Sequence, residues 1–182
     1  MNTLLRTART CSRLLQEVDA PNLLRHRVDN RSYLAAWEPA RDETYFTLEH
    51  CRRTIAGGLQ AAQQGQGFPF AIFTADGEQI IGTFTFANIV RGVFQACHLG
   101  YGIAAAQQGQ GLMQEALESG LVWAFDTLGL HRVMANYMPR NERSGRLLEQ
   151  LGFEREGYAK RYLKIAGVWE DHVLTAKIAA DG

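Results

Sequence analysis

The sequence predicts an α/β (α+β) fold carried on one sheet, and three observations predict it. Strand-like apolar runs alternate with helical patterns from Arg13 to Ile178. Two tight turns, Ala75-Asp76-Gly77-Glu78 and Arg91-Gly92, fold the middle of the chain into an antiparallel meander, Asp-Gly being a hairpin signal. A third run, Cys97 to Ile103, ends in a glycine-rich turn and feeds a helical pattern that continues to about Leu128.

The elements follow in order. Arg13 to Val18 (RLLQEV) can make a first strand, preceded by a basic lead with Arg6, Arg9 and Arg13. Asn30-Arg31-Ser32 precedes a short helical pattern through Leu34 and Trp37, which Pro39 breaks. Arg41 to about Gln64 reads as a second helix with Phe46, Cys51, Ile55 and Leu59 near one face, and Ala61 to Gly67 is a polar loop. Phe68 to Thr74, Gln79 to Val90 and Val93 to Ile103 are the three strands of the meander. The helix opening near Gln108 places Leu112, Ala116, Leu117, Leu121, Ala124 and Leu128 at the 3.6-residue period, and Gly129 closes it. His131 to Met138 is a strand. Asn141 is a natural N-cap for a helix lined by Ser144, Leu147, Leu148 and Leu151, which Gly152 ends. Phe153 to Ile165 and Val168 to Ile178 form a closing hairpin around Ala166-Gly167.

No repeat, linker or low-complexity stretch divides the chain, so residues 1–182 are expected to form one domain. The 19 basic and 19 acidic residues balance, which argues against a broad basic field for nucleic acid; no direct nucleic-acid binding is expected. Three widely spaced cysteines, Cys11, Cys51 and Cys97, form neither a disulfide framework nor a zinc motif, and reduced thiols in the cytoplasm are expected, with no metal. No apolar run approaches the 18 residues of a membrane span.

Ala106-Gln107-Gln108-Gly109-Gln110-Gly111-Leu112-Met113 is the most informative stretch. Backbone N–H groups at a helix start lack internal partners and carry partial positive charge, and the glycines let a phosphate approach without meeting a Cβ. A phosphate-bearing ligand held mainly by backbone is therefore expected. Neither a G-x-x-x-x-G-K-[ST] loop nor a G-x-G-x-x-G dinucleotide fingerprint is present.

The spacing of Gln108, Gly109 and Gly111 resembles the Q/R-x-x-G-x-G/A motif of the GNAT acetyltransferase superfamily, with Met113 standing where Gly or Ala is usual. The likeness extends through Leu99-Gly100-Tyr101-Gly102-Ile103, Asn141-Glu142-Arg143-Ser144-Gly145, Leu151-Gly152-Phe153, Glu156-Gly157-Tyr158 and Trp169-Glu170-Asp171-His172. Trp37-Glu38-Pro39 with Tyr45-Phe46-Thr47, and Met134 to Pro139, bring it to the RimJ/RimL branch, in which Met at the position of Met113 also occurs.

The resemblance implies the GNAT fold: a single mixed, mostly antiparallel central sheet flanked by helices and splayed at the acetyl-CoA site. It implies acetyl transfer from acetyl-CoA to the N-terminal alanine of a small-subunit ribosomal protein, by a monomer or homodimer that acts on that protein or on the ribosome. A small-amine acetyltransferase and a CoA-binding assembly factor are the alternatives. Leu99, Gly100, Tyr101, Ile103, Gln108, Gly109, Gln110, Gly111, Leu112, Met113, Asn141 and Ser144 are the expected cofactor contacts.

An α-amine has a pKa near 7.7–8 against about 10.4 for lysine, so its deprotonation at neutral pH costs roughly 3 kcal/mol less. A weak base, or water relayed to a carboxylate, suffices. His98 on the strand and Glu170 or Asp171 near the C-terminus are the candidates. Ser144 is the expected helper of the thiolate, with Tyr137 the competing phenol. Trp37, Tyr45, Tyr158 and Trp169 are expected where substrate peptide enters.

Overall fold

The computed structural model describes residues 3–180; the ends of the expected 1–182 domain lie outside the described residues. Its strands are β1 (Leu4–Arg6), β2 (Thr10–Leu14), β3 (Phe68–Thr74), β4 (Ile80–Val90), β5 (Ala96–Ile103), β6 (Arg132–Tyr137), β7 (Glu154–Ile165) and β8 (Val168–Ile178). The helices are α1 (Ala20–Asp29), α2 (Arg31–Leu34), α3 (Leu48–Gln63), α4 (Leu112–Asp126) and α5 (Glu142–Gln150). One eight-stranded sheet runs β1-β2-β3-β4-β5-β6-β8-β7. Every pairing is antiparallel except β5 with β6. This is the mixed, mostly antiparallel sheet that the resemblance implies.

The sheet is buried on both faces because its central strands carry apolar residues at both parities. On one face Phe70, Ile72, Phe84, Phe86, Cys97 and Leu99 pack beneath α4 and α5. Trp123 of α4 meets Phe68 and Phe70 edge-on, at centroid distances of 4.9 and 5.1 Å. On the other face Ala71, Phe73 and Ile80 pack against Leu23 of α1 and Cys51 and Ile55 of α3. Gly120 lets α4 lie close: a Cβ there would stand 2.9 Å from the Phe84 ring. Phe84 is fully buried between these partners, so Phe84→Ala is expected to lower stability by about 3–5 kcal/mol. A denaturant titration read by circular dichroism checks this.

The N-terminal part departs from the sequence reading. The first long strand is β2, from Thr10 to Leu14, rather than Arg13 to Val18. The Asp19 carboxylate accepts from Gln16 N at 2.7 Å and pairs with Arg13 at 2.6 Å, folding residues 16–19 into a turn that ends the strand. β1 and α1 carried no expectation at all. The helix expected over Arg41 to Gln64 starts at Leu48, where Thr47 Oγ1 caps His50 N at 3.3 Å, with a separate 3-10 turn at Glu43–Phe46. α3 continues to Gln63 through part of the expected loop. β5 starts at Ala96 rather than Val93, and α4 at Leu112 rather than Gln108, after a 3-10 turn at Ala105–Gln107. From β6 onward the elements fall within two residues of their expected limits, and Gly129 and Gly152 both take positive φ just past their helices.

One feature of the sheet prepares the site. β5 and β6 pair only over Ala96–His98 and Arg132–Met134. Past that point they separate, while β5 stays paired to β4 and β6 to β8. Among the described residues no strand lies beside the β6-facing edge of Leu99–Ile103. No described helix is long and apolar enough to cross a membrane.

Candidate active site

The glycine-rich turn lies at the end of β5. Gly109 and Gly111 have φ of +70° and +75°, the left-handed region that favours glycine, and Gly111 is the residue before the first turn of α4. The first helical bond of α4 runs from Glu115 N to Gly111 O, so the N–H groups of Leu112, Met113 and Gln114 have no partner within the helix. The Leu112 and Met113 side chains are buried in the core, which leaves the turn surface to backbone. Methionine at this position therefore adds nothing to the turn surface, because its side chain points into the core.

Two arginines reach this turn from distant elements. Arg9, between β1 and β2, holds Glu115 through its backbone N and Nε, each at 2.8 Å, and donates from Nη1 to Gln110 O at 2.8 Å. Its Nη2 lies 3.4 Å from where a Gly111 Cβ would stand. Arg143 of α5 donates to the Gln108 side chain. Glu115 is the one acid in the first turn of α4. Burial pushes its carboxyl up, but hydrogen bonds from Thr7 and Arg9 outweigh that and hold it below the usual range. The charge of Glu115 is thus neutralised beside a helix N-terminus, which favours an anion there.

At the splay, Gly100 is exposed and its missing Cβ would meet nothing within 4 Å. Leu99 is buried on the α4 face and Tyr101 points the same way. Tyr101 OH lies 2.7 Å from Ser144 Oγ, either oxygen being able to donate. Burial raises the Tyr101 phenol to about 12, against the opposing pull of the Ser144 hydrogen bond, so it is neutral at any physiological pH. Ser144 sits in the first turn of α5, where Asn141 Oδ1 accepts its N–H at 3.2 Å and caps the helix. The competing phenol, Tyr137, packs under Gly145, where a Cβ would stand 2.8 Å from its ring. β5 and α5 are therefore bridged across the splay by one pair of hydroxyls, which no sequence spacing announced.

The other expected residues are dispersed. His98 is half-buried at the last position where β5 pairs with β6, and among the described residues its Nδ1, sealed from solvent, has no hydrogen-bond partner. Glu170 pairs with Arg140 at 3.0 Å, and the same guanidinium lies 5.0 Å from the Trp37 ring centroid. The Asp171 carboxylate accepts from Arg161 N and Tyr158 OH, each at 2.8 Å, which keeps its carboxyl below the usual range. Tyr158 and Trp169 are exposed on the closing hairpin.

A cavity of about 440 Å³ lies on the other face of the sheet, beneath α1, α2 and the Glu43–Phe46 turn. Glu38, Arg41, Tyr45, Thr83, Thr85 and Gly102 are among its lining. Of Trp37, Tyr45, Tyr158 and Trp169, only Tyr45 lines it. Gly102 belongs to β5, so the cavity reaches the splayed strand. The closing hairpin touches its rim, with Ala166 N donating to Glu38 O at 2.9 Å. In sequence Glu38 stands within Trp37-Glu38-Pro39. A carboxylate lodged in that apolar, aromatic stretch was the available signal. Among the described residues no three His, Cys, Asp or Glu cluster in a way that could hold a metal ion.

Comparison with known proteins agrees with this geometry. The acetyltransferase (GNAT) domain family matches residues 9–154. The [ribosomal protein uS5]-alanine N-acetyltransferase of Escherichia coli K12 is 46% identical over 97% of this chain and 91% of that enzyme. The crystal structure of ribosomal-protein-S5-alanine acetyltransferase from Vibrio fischeri superposes with a TM-score of 0.94 at 38% identity, covering 99% of this chain and 98% of that one. Mycobacterium smegmatis RimJ, solved in complex with CoA-disulfide, superposes with a TM-score of 0.90 at 31% identity, covering 98% of this chain and 87% of that one.

Proposed function

This chain belongs to the acetyltransferase (GNAT) family and is an acetyl-CoA-dependent N-acetyltransferase, and from that premise we propose that it acetylates the N-terminal alanine of the small-subunit ribosomal protein uS5. The observation that carries this reading is the 46% identity to the E. coli enzyme over 97% of the chain.

The residues fit the cosubstrate. The unpaired N–H groups of Leu112 to Gln114, with Arg9 and Arg143 beside them, receive the pyrophosphate. The unpaired edge of Leu99–Ile103 takes the pantetheine amides as an added strand would. The open space at Gly100 admits the chain, and a backbone N–H at Leu99 or Gly100 polarises the acetyl carbonyl. The amine attacks the carbonyl carbon directly, and the Tyr101–Ser144 pair returns a proton to the departing sulfur.

Ribosomes from a strain lacking N-terminal acetyltransferases, incubated with the protein and acetyl-CoA, should gain a single acetyl group, in place of one amine hydrogen, on uS5 alone by intact mass spectrometry. Absence of that product on uS5 would refute the assignment.

Arg9 provides a separate test of the cosubstrate site. Arg9→Ala leaves Glu115 uncompensated near the phosphates. The KM for acetyl-CoA is expected to rise about tenfold, the order of one charge-assisted contact. In the double variant Arg9→Ala/Glu115→Gln most of that loss should return. A double variant as poor as the single one would show that Arg9 contacts phosphate itself rather than neutralising Glu115.

A further inference from the structure

The cavity on the α1–α3 face of the sheet contains one acid. Of the residues that line it, Arg27, Arg31 and Arg41 are cations, His26 and Tyr45 are titratable, and Glu38 alone is a carboxylate. Arg31 pairs with Glu43, and Arg27 donates to Tyr45 O at 3.0 Å and Thr54 Oγ1 at 3.2 Å. Arg41 Nε stands 3.8 Å from Glu38 Oε2, beyond hydrogen-bond length. Among the described residues no donor bonds the Glu38 carboxylate. Burial pushes its carboxyl above the ordinary range, and Arg41 and Arg27 only partly oppose this. A half-buried anion lacking a donor is a receptor for a cation that brings its own N–H groups.

Its position is fixed by backbone. Glu38 N donates to Leu34 O at 3.1 Å, and Glu38 O accepts from Ala166 N at 2.9 Å. The cavity it lines also exposes Gly102 of β5, and on β4 Thr83 and Thr85 stand opposite Gly102 and Gly100. Tyr101, paired with Phe84, points to the opposite face. The cavity and the Tyr101–Ser144 hydroxyls thus approach the splay from opposite faces of the sheet. His26 is the rival base, but its Nδ1 is sealed from solvent.

Resting on the acetyl-transfer reading above, we propose that Glu38 receives the α-ammonium group of the substrate peptide and takes the first of the two protons it must lose, the third staying on the amide product. An ammonium N–H bond breaks and its proton passes to a carboxylate oxygen. The freed lone pair forms the C–N bond to the acetyl carbon. As the C–S bond breaks, the second N–H proton is the one the thiolate recovers through the Tyr101–Ser144 pair. Glu38 releases its proton to solvent when product leaves.

The test compares wild type with Glu38→Gln, using a synthetic alanine-headed peptide copied from the uS5 N-terminus. kcat/KM for the peptide should fall about 100-fold or more, with the KM for acetyl-CoA unchanged. Wild-type kcat/KM should be level from the Glu38 titration up to about pH 8, because ammonium is the form captured. The Gln variant should climb across that range, since only neutral amine then reacts. The groups facing Glu38 are His26 and Arg27 from α1, Arg31 from α2, Arg41 and Tyr45, and the lining from the sheet, Pro69, Phe70, Thr83, Thr85 and Gly102, carries no titratable group. Glu38→Asp should keep the wild-type profile at a lower rate. Peptide kinetics within threefold of wild type, with the same profile, would overturn the role of Glu38 and leave acetyl transfer intact. A parallel loss of acetyl-CoA affinity would mark Glu38 as structural and overturn it too. If wild type acetylates neither the peptide nor any ribosomal protein, both readings fail together.

Discussion

A Gly111→Trp protein is expected to fold and to lose its affinity for CoA. Gly111 sits at φ +75°, immediately before α4, where any side chain adds about 1–2 kcal/mol of left-handed strain. Its Cβ would lie 3.4 Å from Arg9 Nη2, so the indole must enter the space between Arg9 and the first free N–H groups of α4. That space is where the pyrophosphate belongs if the turn is a phosphate cradle. The core is not touched, because Leu112 and Met113 point inward from the next two positions. Isothermal titration with CoA should show Kd raised at least 100-fold, while thermal melting shifts by a few degrees only. Gly111→Ala, with the strain but little of the bulk, should fall between. Unchanged CoA affinity in the Trp variant would contradict the cradle.

How far such a site is legible in sequence depends on the distance along the chain over which it is assembled. The cradle is local: a strand, two glycines and a helix start within about twenty residues, each announced by its own backbone chemistry. The meander and closing hairpin are legible for the same reason, since Asp76-Gly77 and Ala166-Gly167 mark their turns and the meander strands read as short apolar runs between them. The N-terminal part hides its structure. β2 buries Thr10 and Ser12, and α1 buries His26 and Arg27, so polar residues stand where periodicity looks for apolar ones. Their partners lie far off, as Arg27 shows by bonding Tyr45 O and Thr54 Oγ1. Arg9 and Glu115 are separated by 106 positions, and Tyr101 and Ser144 by 43. Only the folded sheet brings them together. The likeness to a family bridges that gap for Tyr101 and Ser144 singly, as expected cofactor contacts, but their hydrogen bond and the place of the Glu38 carboxylate in the cavity emerge from tertiary structure alone.

The hydroxyl pair carries the second large effect. Departure of CoA as a thiolate is aided by a proton, and on the proposed mechanism the hydroxyls of Tyr101 and Ser144, 2.7 Å apart in a part-buried setting, relay it. Tyr101→Phe and Ser144→Ala should each lower kcat by about 10²-fold, the lower end of what a positioned proton donor contributes, with little change in the KM for acetyl-CoA. Because both act through a single hydrogen bond, the double variant should be no worse than the poorer single one, rather than showing the product of the two losses. Pantetheine binding alone would predict a different split, with KM for acetyl-CoA rising and kcat held. The pH dependence separates the relay from a simple structural contact. A phenol raised to about 12 acts in its protonated form and stays protonated throughout the range from pH 6 to 9, so no falling limb of kcat in that range should belong to Tyr101. A falling limb near pH 9 that vanishes in Tyr101→Phe would still mark the phenol as the acid, but one that ionises well below about 12 in the working enzyme. Full turnover in Ser144→Ala would remove the serine from the relay and leave Tyr101 to protonate the sulfur alone.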